Sequence, residues 1–215
     1  MANLIGIAGD PGTGKSTSLR NLPPKETFYI DCDGKGLNWK GWKKQYSEEK
    51  KNYYRSNHPS LVARILQKVA TEEQFKGIHY VVVDTVNNLM VSEEMRRCRE
   101  KSYDKWMDLA QHVWNLVDEP GSMRDDLTVI LLFHTQTDKD DSGFEHIRIK
   151  TNGRKTEKND IDSKFNWLLR TVKQDGKYLF EVTSHNSTSR TPLDAFAEDY
   201  IENDIMKVLE VMKEY

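Results

Sequence analysis

The 215-residue sequence predicts an α/β fold, in which a mostly parallel β-sheet is flanked by helices and carries a late antiparallel hairpin at its edge. Three observations predict it. Short apolar runs of the kind that form fully buried strands alternate with segments of helical periodicity. A glycine-rich turn follows the first apolar run. Two late strand-like segments are joined by Asp175-Gly176, a dipeptide typical of hairpin turns.

The elements follow one another in a simple order. The apolar runs predict strands at residues 3–8, 27–30, 80–83, 129–133, 167–172 and 178–182. Apolar residues at helical spacing predict helices at 15–22, at 59–70, between 85 and 117, and at 201–212. The first helix is expected to end at Pro23-Pro24, and the second is expected to begin at Pro59. Residues 35–58 and 135–160 show no clear period and are expected to be irregular.

Composition limits the class of protein. The chain has 32 basic and 34 acidic residues, so a uniformly basic nucleic-acid binder is excluded. No apolar run approaches the ~20 residues of a membrane span. The two cysteines, Cys32 and Cys98, cannot form a disulfide scaffold and lack zinc-ligand spacing. We therefore expect a soluble cytoplasmic protein that makes no membrane contact, with residues 1–215 forming one domain.

The glycine-rich turn has the pattern G-x-x-x-x-G-K-[ST]. Its glycines allow successive backbone N–H groups to face phosphate oxygens, and it lies between a predicted strand and a predicted helix. We therefore favour a nucleotide site over a ligand-free turn. Lys15 is expected to reach the β- and γ-phosphates, and the Ser16 hydroxyl is expected to hold Mg²⁺. The expected nucleotide-binding residues are Gly9, Asp10, Pro11, Gly12, Thr13, Gly14, Lys15, Ser16 and Thr17.

Three carboxylates are candidates for the chemistry. Asp84 ends the apolar run 80–83, which places it at the carboxyl edge of the sheet, where it is expected to bind Mg²⁺ through water or to cap the next helix. Hydrolysis of a bound nucleotide also needs a group that orients or deprotonates water. Asp33 lies just beyond the second predicted strand and is our candidate, with Asp31 as its competitor. Capping of a loop is the alternative for both.

These motifs resemble those of RecA-like P-loop ATPases over residues 1 to about 190. In that family the second strand runs into an acidic residue, usually glutamate, that acts on the attacking water. The resemblance gives Asp33 this role. A later strand of the family ends in a polar side chain that contacts the γ-phosphate and passes its state to a DNA-binding loop. His134 matches that position, with capping of a loop as its alternative.

Two segments are candidate contact surfaces for single-stranded DNA. Residues 135–160 resemble the DNA-contacting loop of the family, and a solvated loop is the alternative. Its cations are Lys139, Arg148, Lys150, Arg154, Lys155 and Lys158. Residues 35–58 interleave cations with aromatic residues, a pattern that suits DNA, a neighbouring subunit or a cover over the sheet. The cations of this segment are Lys35, Lys40, Lys43, Lys44, Lys50, Lys51 and Arg55, and the aromatic residues are Trp39, Trp42, Tyr46, Tyr53 and Tyr54.

Among RecA-like proteins, the chain resembles the short phage-encoded Sak-type single-strand annealing ATPases. This resemblance implies a Mg²⁺-dependent ATPase of the host cytoplasm that binds single-stranded DNA as a homo-oligomeric ring or filament. It also implies that DNA stimulates hydrolysis, that the protein promotes phage recombination by annealing or strand exchange, and that a single-strand-binding protein is a partner. In such oligomers a neighbouring subunit often supplies a cation to the site. Candidates here are Lys173, Lys177 and Arg190.

Other functions use the same motif. A small-molecule P-loop kinase would need an arginine-bearing lid, and Arg96, Arg97 and Arg99 form the only tight arginine cluster. A nucleotide-gated loader or assembly factor would bind ATP without hydrolysing it, which the shorter carboxylate of Asp33 favours. An AAA+ identity is disfavoured here because little chain follows the core, too little for the usual helical lid domain.

Overall fold

The computed structural model describes residues 1–102, 104–151 and 160–215. Its strands are β1 (Asn3–Gly9), β2 (Thr27–Asp31), β3 (Tyr53–Arg55), β4 (Tyr80–Asp84), β5 (Thr128–Phe133), β6 (Thr135–Lys139), β7 (Glu145–Ile149), β8 (Trp167–Gln174), β9 (Lys177–Glu181) and β10 (Tyr200–Glu202). Its α-helices are α1 (Trp42–Gln45), α2 (Pro59–Thr71), α3 (Val86–Arg96), α4 (Asp104–Asp118) and α5 (Ile205–Val211). Short 3₁₀ turns span Ser16–Leu19, Glu73–Phe75, Glu119–Ser122, Ile161–Lys164 and Met212–Glu214.

One eight-stranded sheet contains all strands except β6 and β7. Its order is β10-β9-β8-β1-β5-β4-β2-β3, and the neighbours from β8 through β3 pair in parallel. β9 is antiparallel to both β8 and β10. Asp175 and Gly176 form the two-residue turn between β8 and β9, with φ of 50° and 78°. The predicted fold class, including its late antiparallel hairpin, is confirmed.

The sheet is buried on both faces, which explains its continuous apolar runs. Successive side chains of a strand point to opposite faces, so Val81 and Val83 pack on one side while Val82 packs on the other. The first side is covered by α2, α3 and α4. The second is covered by the Ser16–Leu19 turn and α5. In the described ranges, no helix is both long and apolar enough to cross a membrane.

The strand order brings the candidate site together. β5 lies between β1 and β4, pairing in parallel with both. The carboxyl ends of parallel strands meet at one edge of a sheet. Gly9 at the end of β1, His134 just after β5 and Asp84 at the end of β4 therefore share that edge.

Two expectations about helices are wrong. The predicted helix over 15–22 is only the single 3₁₀ turn Ser16–Leu19. The Ser18 hydroxyl donates to the Lys15 carbonyl at 2.6 Å, and such local bonds compete with helix propagation. The prolines at 23–24 leave no room for another turn. At the other end of the chain, Ile201 belongs to β10 rather than to the terminal helix, because it pairs with Phe180 in the sheet.

Two segments expected to be irregular contain regular structure. Residues 35–58 include α1 and β3, and β3 extends the sheet beside β2. Residues 135–149 form the β6–β7 hairpin, an antiparallel two-stranded sheet. Both strands carry many charges and little apolar alternation, because β6 and β7 are largely solvent-facing. A pattern based on burial therefore does not reveal them.

Candidate nucleotide-binding site

The Gly9–Ser16 turn has the backbone shape that its glycines allow. Gly12 and Gly14 have φ of 81° and 101°, values that other residues rarely adopt. Glycine is required at position 9 because the Thr171 side chain lies against it, and a Cβ there would be 2.0 Å from Thr171 Oγ1. The turn borders a cavity of about 280 Å³ that is also lined by Ser16, Lys35, Asp84, His134 and Tyr178. The cavity has room for a phosphate chain next to these side chains.

Lys15 is buried within this turn. Its Nζ donates to the Gly9 carbonyl at 2.7 Å and to the Asp10 carbonyl at 2.8 Å. Burial lowers the pKa of Lys15 to about 8, although the charges of Asp84 and Asp10 oppose the decrease. At neutral pH the Lys15 side chain is therefore mostly in its charged ammonium form.

Asp84 lies beside Ser16 with its two oxygens in different environments. Oδ2 accepts a hydrogen bond from the Tyr29 hydroxyl at 2.6 Å, whereas Oδ1 is buried with no hydrogen-bond partner in the described part of the chain. Burial raises the pKa of Asp84, and the hydroxyls of Ser16 and Tyr29 oppose that increase. The orphaned Oδ1 and the nearby hydroxyl fit Mg²⁺, which prefers oxygen ligands. The helix-cap alternative is wrong, because the N-cap residue of α3 is Thr85.

Asp31 and Asp33 have different roles in the structure. Asp31 is buried, and its two oxygens accept from the backbone N–H groups of Gly34 and Gly36 at 2.7 and 2.8 Å. It therefore caps the loop after β2. Asp33 accepts from the Thr85 hydroxyl at 3.0 Å and pairs with Lys35. Of the two carboxylates, Asp33 is the one that faces the site.

His134 follows β5 between the glycine-rich turn and Asp84. Its backbone N–H donates to Asn87 Oδ1 at 2.7 Å. Its Nδ1 is buried and has no hydrogen-bond partner among the described residues. Burial lowers the pKa of His134 and the charge of Lys15 lowers it further, so the imidazole is mainly neutral at pH 7.

A second cavity of about 360 Å³ adjoins the first. Lys35, Thr85 and His134 line both cavities. The second is also lined by Asp33, Asn87, Asn88, Val91 and Lys150. Asp33 therefore lines a cavity that shares three of its lining residues with the phosphate cavity.

The β6–β7 hairpin is attached to this site at both ends. At the start of β6, the Thr135 hydroxyl donates to the Asp10 carboxylate. Just after β7, the Lys150 N–H donates to the His134 carbonyl at 2.8 Å, and the Lys150 carbonyl accepts from Asn87 Nδ2 at 2.7 Å. Sequence reasoning missed Asn87, although its position three residues after Asp84 is a signal for a residue near the same sheet edge.

The expected DNA-contacting loop is only partly described. On the hairpin, Lys139 pairs with Glu145 at 2.7 Å, and Arg148 pairs with Asp138. These ion pairs neutralise two of the expected DNA-contacting cations. The remaining cations of that set are the exposed Lys150 and, outside the described residues, Arg154, Lys155 and Lys158.

The aromatic residues of 35–58 mostly face inward. Tyr46 and Tyr53 are buried and, with Trp39, surround Tyr29 of β2 at ring-centroid distances of 5.7 to 6.5 Å. They therefore cover the sheet, which was one of the alternatives for this segment. Three of its lysines, Lys44, Lys50 and Lys51, line a separate cavity near the amino ends of β2 and β4.

Comparison with known proteins identifies the family. A family model described as an AAA domain matches residues 1–191, nearly the whole chain. The chain belongs to this family of P-loop ATPases. No curated protein matches the sequence.

The matching family model is described as an AAA domain, and the expectation against an AAA+ identity with a helical lid stays a prediction. The matched residues end at 191, and residues 192–215 add β10, α5 and a terminal 3₁₀ turn. These short elements close one edge and one face of the sheet and do not form a separate helical lid.

Proposed function

We propose that this protein is a Mg²⁺-dependent ATPase in which the bound nucleotide controls single-stranded DNA binding by the β6–β7 hairpin and the residues after it. The observation that carries the proposal is the attachment of both hairpin ends to the nucleotide site. Thr135 bonds to Asp10 at one end, and Asn87 joins His134 to Lys150 at the other. A change at the phosphate end of the site would therefore move the hairpin.

The glycine-rich turn would hold the phosphate chain through its N–H groups. A γ-phosphate would draw Lys15 Nζ away from the two carbonyls that it now contacts. The Ser16 hydroxyl and Asp84, through a water at Oδ1, would hold Mg²⁺. When bound, Mg²⁺ would neutralise negative charge on the phosphate oxygens.

Asp33 would orient the attacking water. It lines the cavity that shares Lys35, Thr85 and His134 with the phosphate cavity, which would place a water beside Asp33 close to the γ-phosphate. The Thr85 hydroxyl fixes one carboxylate oxygen of Asp33 at 3.0 Å. The neutral imidazole of His134 would donate a hydrogen bond to the γ-phosphate. Because the His134 backbone N–H is bonded to Asn87, a shift of His134 on nucleotide binding would also move Asn87.

The hairpin offers a contact for unpaired bases. Phe144 lies at its tip and is 54% exposed. Stacking of a base on an aromatic ring contributes ~1–3 kcal/mol, and neighbouring cations would contact phosphates. The likeness to RecA-like and Sak-type ATPases supports the finer proposal. On this basis, the protein forms a ring or filament on single strands, cooperates with a single-strand-binding protein and promotes phage recombination by annealing or strand exchange.

A small-molecule kinase is the second candidate, favoured by the 360 Å³ cavity where an acceptor would fit. The arginine cluster argues against it. Arg96 contacts Asn57, and Arg97 binds Glu100 and Asp108. These two arginine side chains therefore bind other residues of the protein and do not line the phosphate cavity.

The test is phosphate release against a titration of a single-stranded oligonucleotide, with oligomer mass measured in parallel. We expect DNA to stimulate hydrolysis and to promote assembly, and Phe144→Ala to weaken DNA binding while leaving hydrolysis without DNA unchanged. Hydrolysis that is indifferent to DNA in a protein that stays monomeric would contradict the proposal. ATP binding with negligible hydrolysis would indicate a loader, and phosphate transfer to a nucleoside or nucleotide would indicate a kinase.

A further inference from the structure

Lys35 lies where the two cavities meet. It lines both the phosphate cavity and the adjoining cavity that contains Asp33. From the sequence it was grouped with the surface cations of residues 35–58. We propose instead that Lys35 is a catalytic cation, supplied by the same chain, that neutralises charge developing on the γ-phosphoryl oxygens during hydrolysis. This inference rests on the proposed ATPase function.

The charges around Lys35 keep it protonated. Its Nζ pairs with Asp33. Partial burial alone would lower the pKa of Lys35, but the hydrogen bond and charge of Asp33 raise it above the usual lysine value. Its positive charge reaches the phosphate cavity, since it contributes to the lowered pKa of Lys15 and of His134. An anionic phosphate placed there would therefore attract it.

The loop that carries Lys35 is held by hydrogen bonds within the protein. The residues on either side, Gly34 and Gly36, have φ of 69° and 79° and donate their N–H groups to Asp31. The Tyr53 hydroxyl holds the same carboxylate at 2.6 Å. Asp31 thus fixes the backbone on both sides of Lys35 while the Lys35 side chain remains 55% exposed. Such preorganisation suits a group that acts in a transition state.

The reaction assigned to this site is hydrolysis of the γ-phosphoryl group. The water oxygen forms a bond to the γ-phosphorus as the bond to the β–γ bridging oxygen breaks, and that bond's electron pair stays on ADP. The Asp33 carboxylate accepts the proton from water, and the products are ADP and inorganic phosphate. Lys35 exchanges no proton. Its ammonium turns from Asp33 towards the phosphoryl oxygens as their charge increases.

The test compares Lys35→Gln and Lys35→Arg with the wild type. Lys76→Gln is the matched control, because Lys76 is a 71% exposed lysine paired with Glu73, away from both cavities. Four quantities are measured: kcat, KM, the Kd of a nonhydrolysable ATP analogue, and the Kd of ADP with aluminium fluoride, which mimics the transition state. Melting temperatures check that each variant folds.

We expect Lys35→Gln to lower kcat and the affinity for ADP–aluminium fluoride by about 100-fold, while the Kd of the ATP analogue changes less than threefold. Lys35→Arg should recover part of both losses, and Lys76→Gln should match the wild type. Equal losses of affinity for the ATP analogue and for ADP–aluminium fluoride would overturn the inference, because Lys35 would then bind the ground state and the transition state equally. An unchanged kcat would also overturn it but leave the proposed ATPase intact. Failure of the wild type to hydrolyse ATP would refute both.

Discussion

The Tyr29 hydroxyl donates a hydrogen bond of 2.6 Å to Asp84 Oδ2, joining the side chains of the neighbouring strands β2 and β4. Both residues are buried. The bond orients the carboxylate so that one oxygen is satisfied by the protein and the other, Oδ1, is left without a partner in the described chain. A buried oxygen of this kind is costly unless something binds it, which supports a cation site at Asp84.

Tyr29→Phe should weaken both folding and the response to Mg²⁺. Removal of the hydroxyl removes the hydrogen bond to buried Asp84 Oδ2, so we expect the free energy of unfolding to fall by about 1–3 kcal/mol. The half-saturating Mg²⁺ concentration for ATP hydrolysis should rise several-fold. Urea denaturation and a Mg²⁺ titration measure the two effects. Tyr53→Phe, which removes the equivalent bond to Asp31, is the control and should lower stability without changing the Mg²⁺ requirement.

Nucleotide affinity should decrease as pH rises through about 8. The pKa of Lys15 is lowered to about 8 by burial, so the ammonium that binds phosphate is lost above that pH. We expect the affinity for a nonhydrolysable ATP analogue to fall by about tenfold per pH unit above pH 8. Calorimetric titrations at pH 7, 8 and 9 provide the measurement. Lys15→Arg keeps its charge at all three, and its affinity, although lower, should not vary with pH. A parallel decline in both proteins would mean that another group titrates.

Asn87→Ala should separate DNA stimulation from ATP hydrolysis. It removes the two hydrogen bonds through which the Asn87 side chain links His134 to Lys150, and it leaves the direct bond from the Lys150 N–H to the His134 carbonyl in place. We expect hydrolysis without DNA to change less than threefold, stimulation by single-stranded DNA to be mostly lost, and stability to fall by about 1–3 kcal/mol. Asn88→Ala is the control, because Asn88 bonds to the Cys32 carbonyl and not to the hairpin ends. If single-stranded DNA still stimulates hydrolysis by Asn87→Ala, the coupling between the hairpin and the nucleotide site does not depend on Asn87.

Glycines of the turn should tolerate substitution unequally. In Gly9→Ala the new Cβ would collide with buried Thr171, so we expect a loss of about 3 kcal/mol in stability and loss of nucleotide binding. In Gly12→Ala the new Cβ meets nothing within 4 Å, so the only expected loss of stability is the strain of an alanine at a φ of 81°, about 1 kcal/mol. Gly121→Ala, in open space without a positive φ, is the control and should be neutral. Thermal and urea unfolding of the three variants give the ranking; equal losses at Gly9 and Gly12 would contradict it.

The sequence predicts the parts of this fold that depend on burial or on turn chemistry. The strand over 80–83 is easy to predict because a strand buried on both faces is continuously apolar. The hairpin at Asp175-Gly176 is easy to predict because a tight turn needs residues that adopt positive φ. The hairpin of 135–149 and β3 lack such signals. The first has little buried surface, and the second is a three-residue edge strand whose pairing depends on the position of β2.

The candidate site is predictable where one residue type is required and obscure where position alone matters. The glycine-rich turn and Asp84 follow from motif and context. Asp31 and Asp33 could not be told apart from sequence, because only the folded loop shows which carboxylate accepts the Gly34 and Gly36 N–H groups. Lys35 resembled any other lysine of a charged segment until the loop placed it beside the cavity.

The central claim is that the glycine-rich turn binds a nucleoside triphosphate with Mg²⁺ at Ser16 and Asp84. The most direct measurement is calorimetric titration of the protein with a nonhydrolysable ATP analogue, with and without Mg²⁺. We predict saturable binding that Mg²⁺ strengthens, loss of binding in Lys15→Ala, and binding in Asp84→Asn that no longer responds to Mg²⁺. Absence of binding heat in the wild type with Mg²⁺ present, at temperatures on either side of 25 °C, would contradict the account.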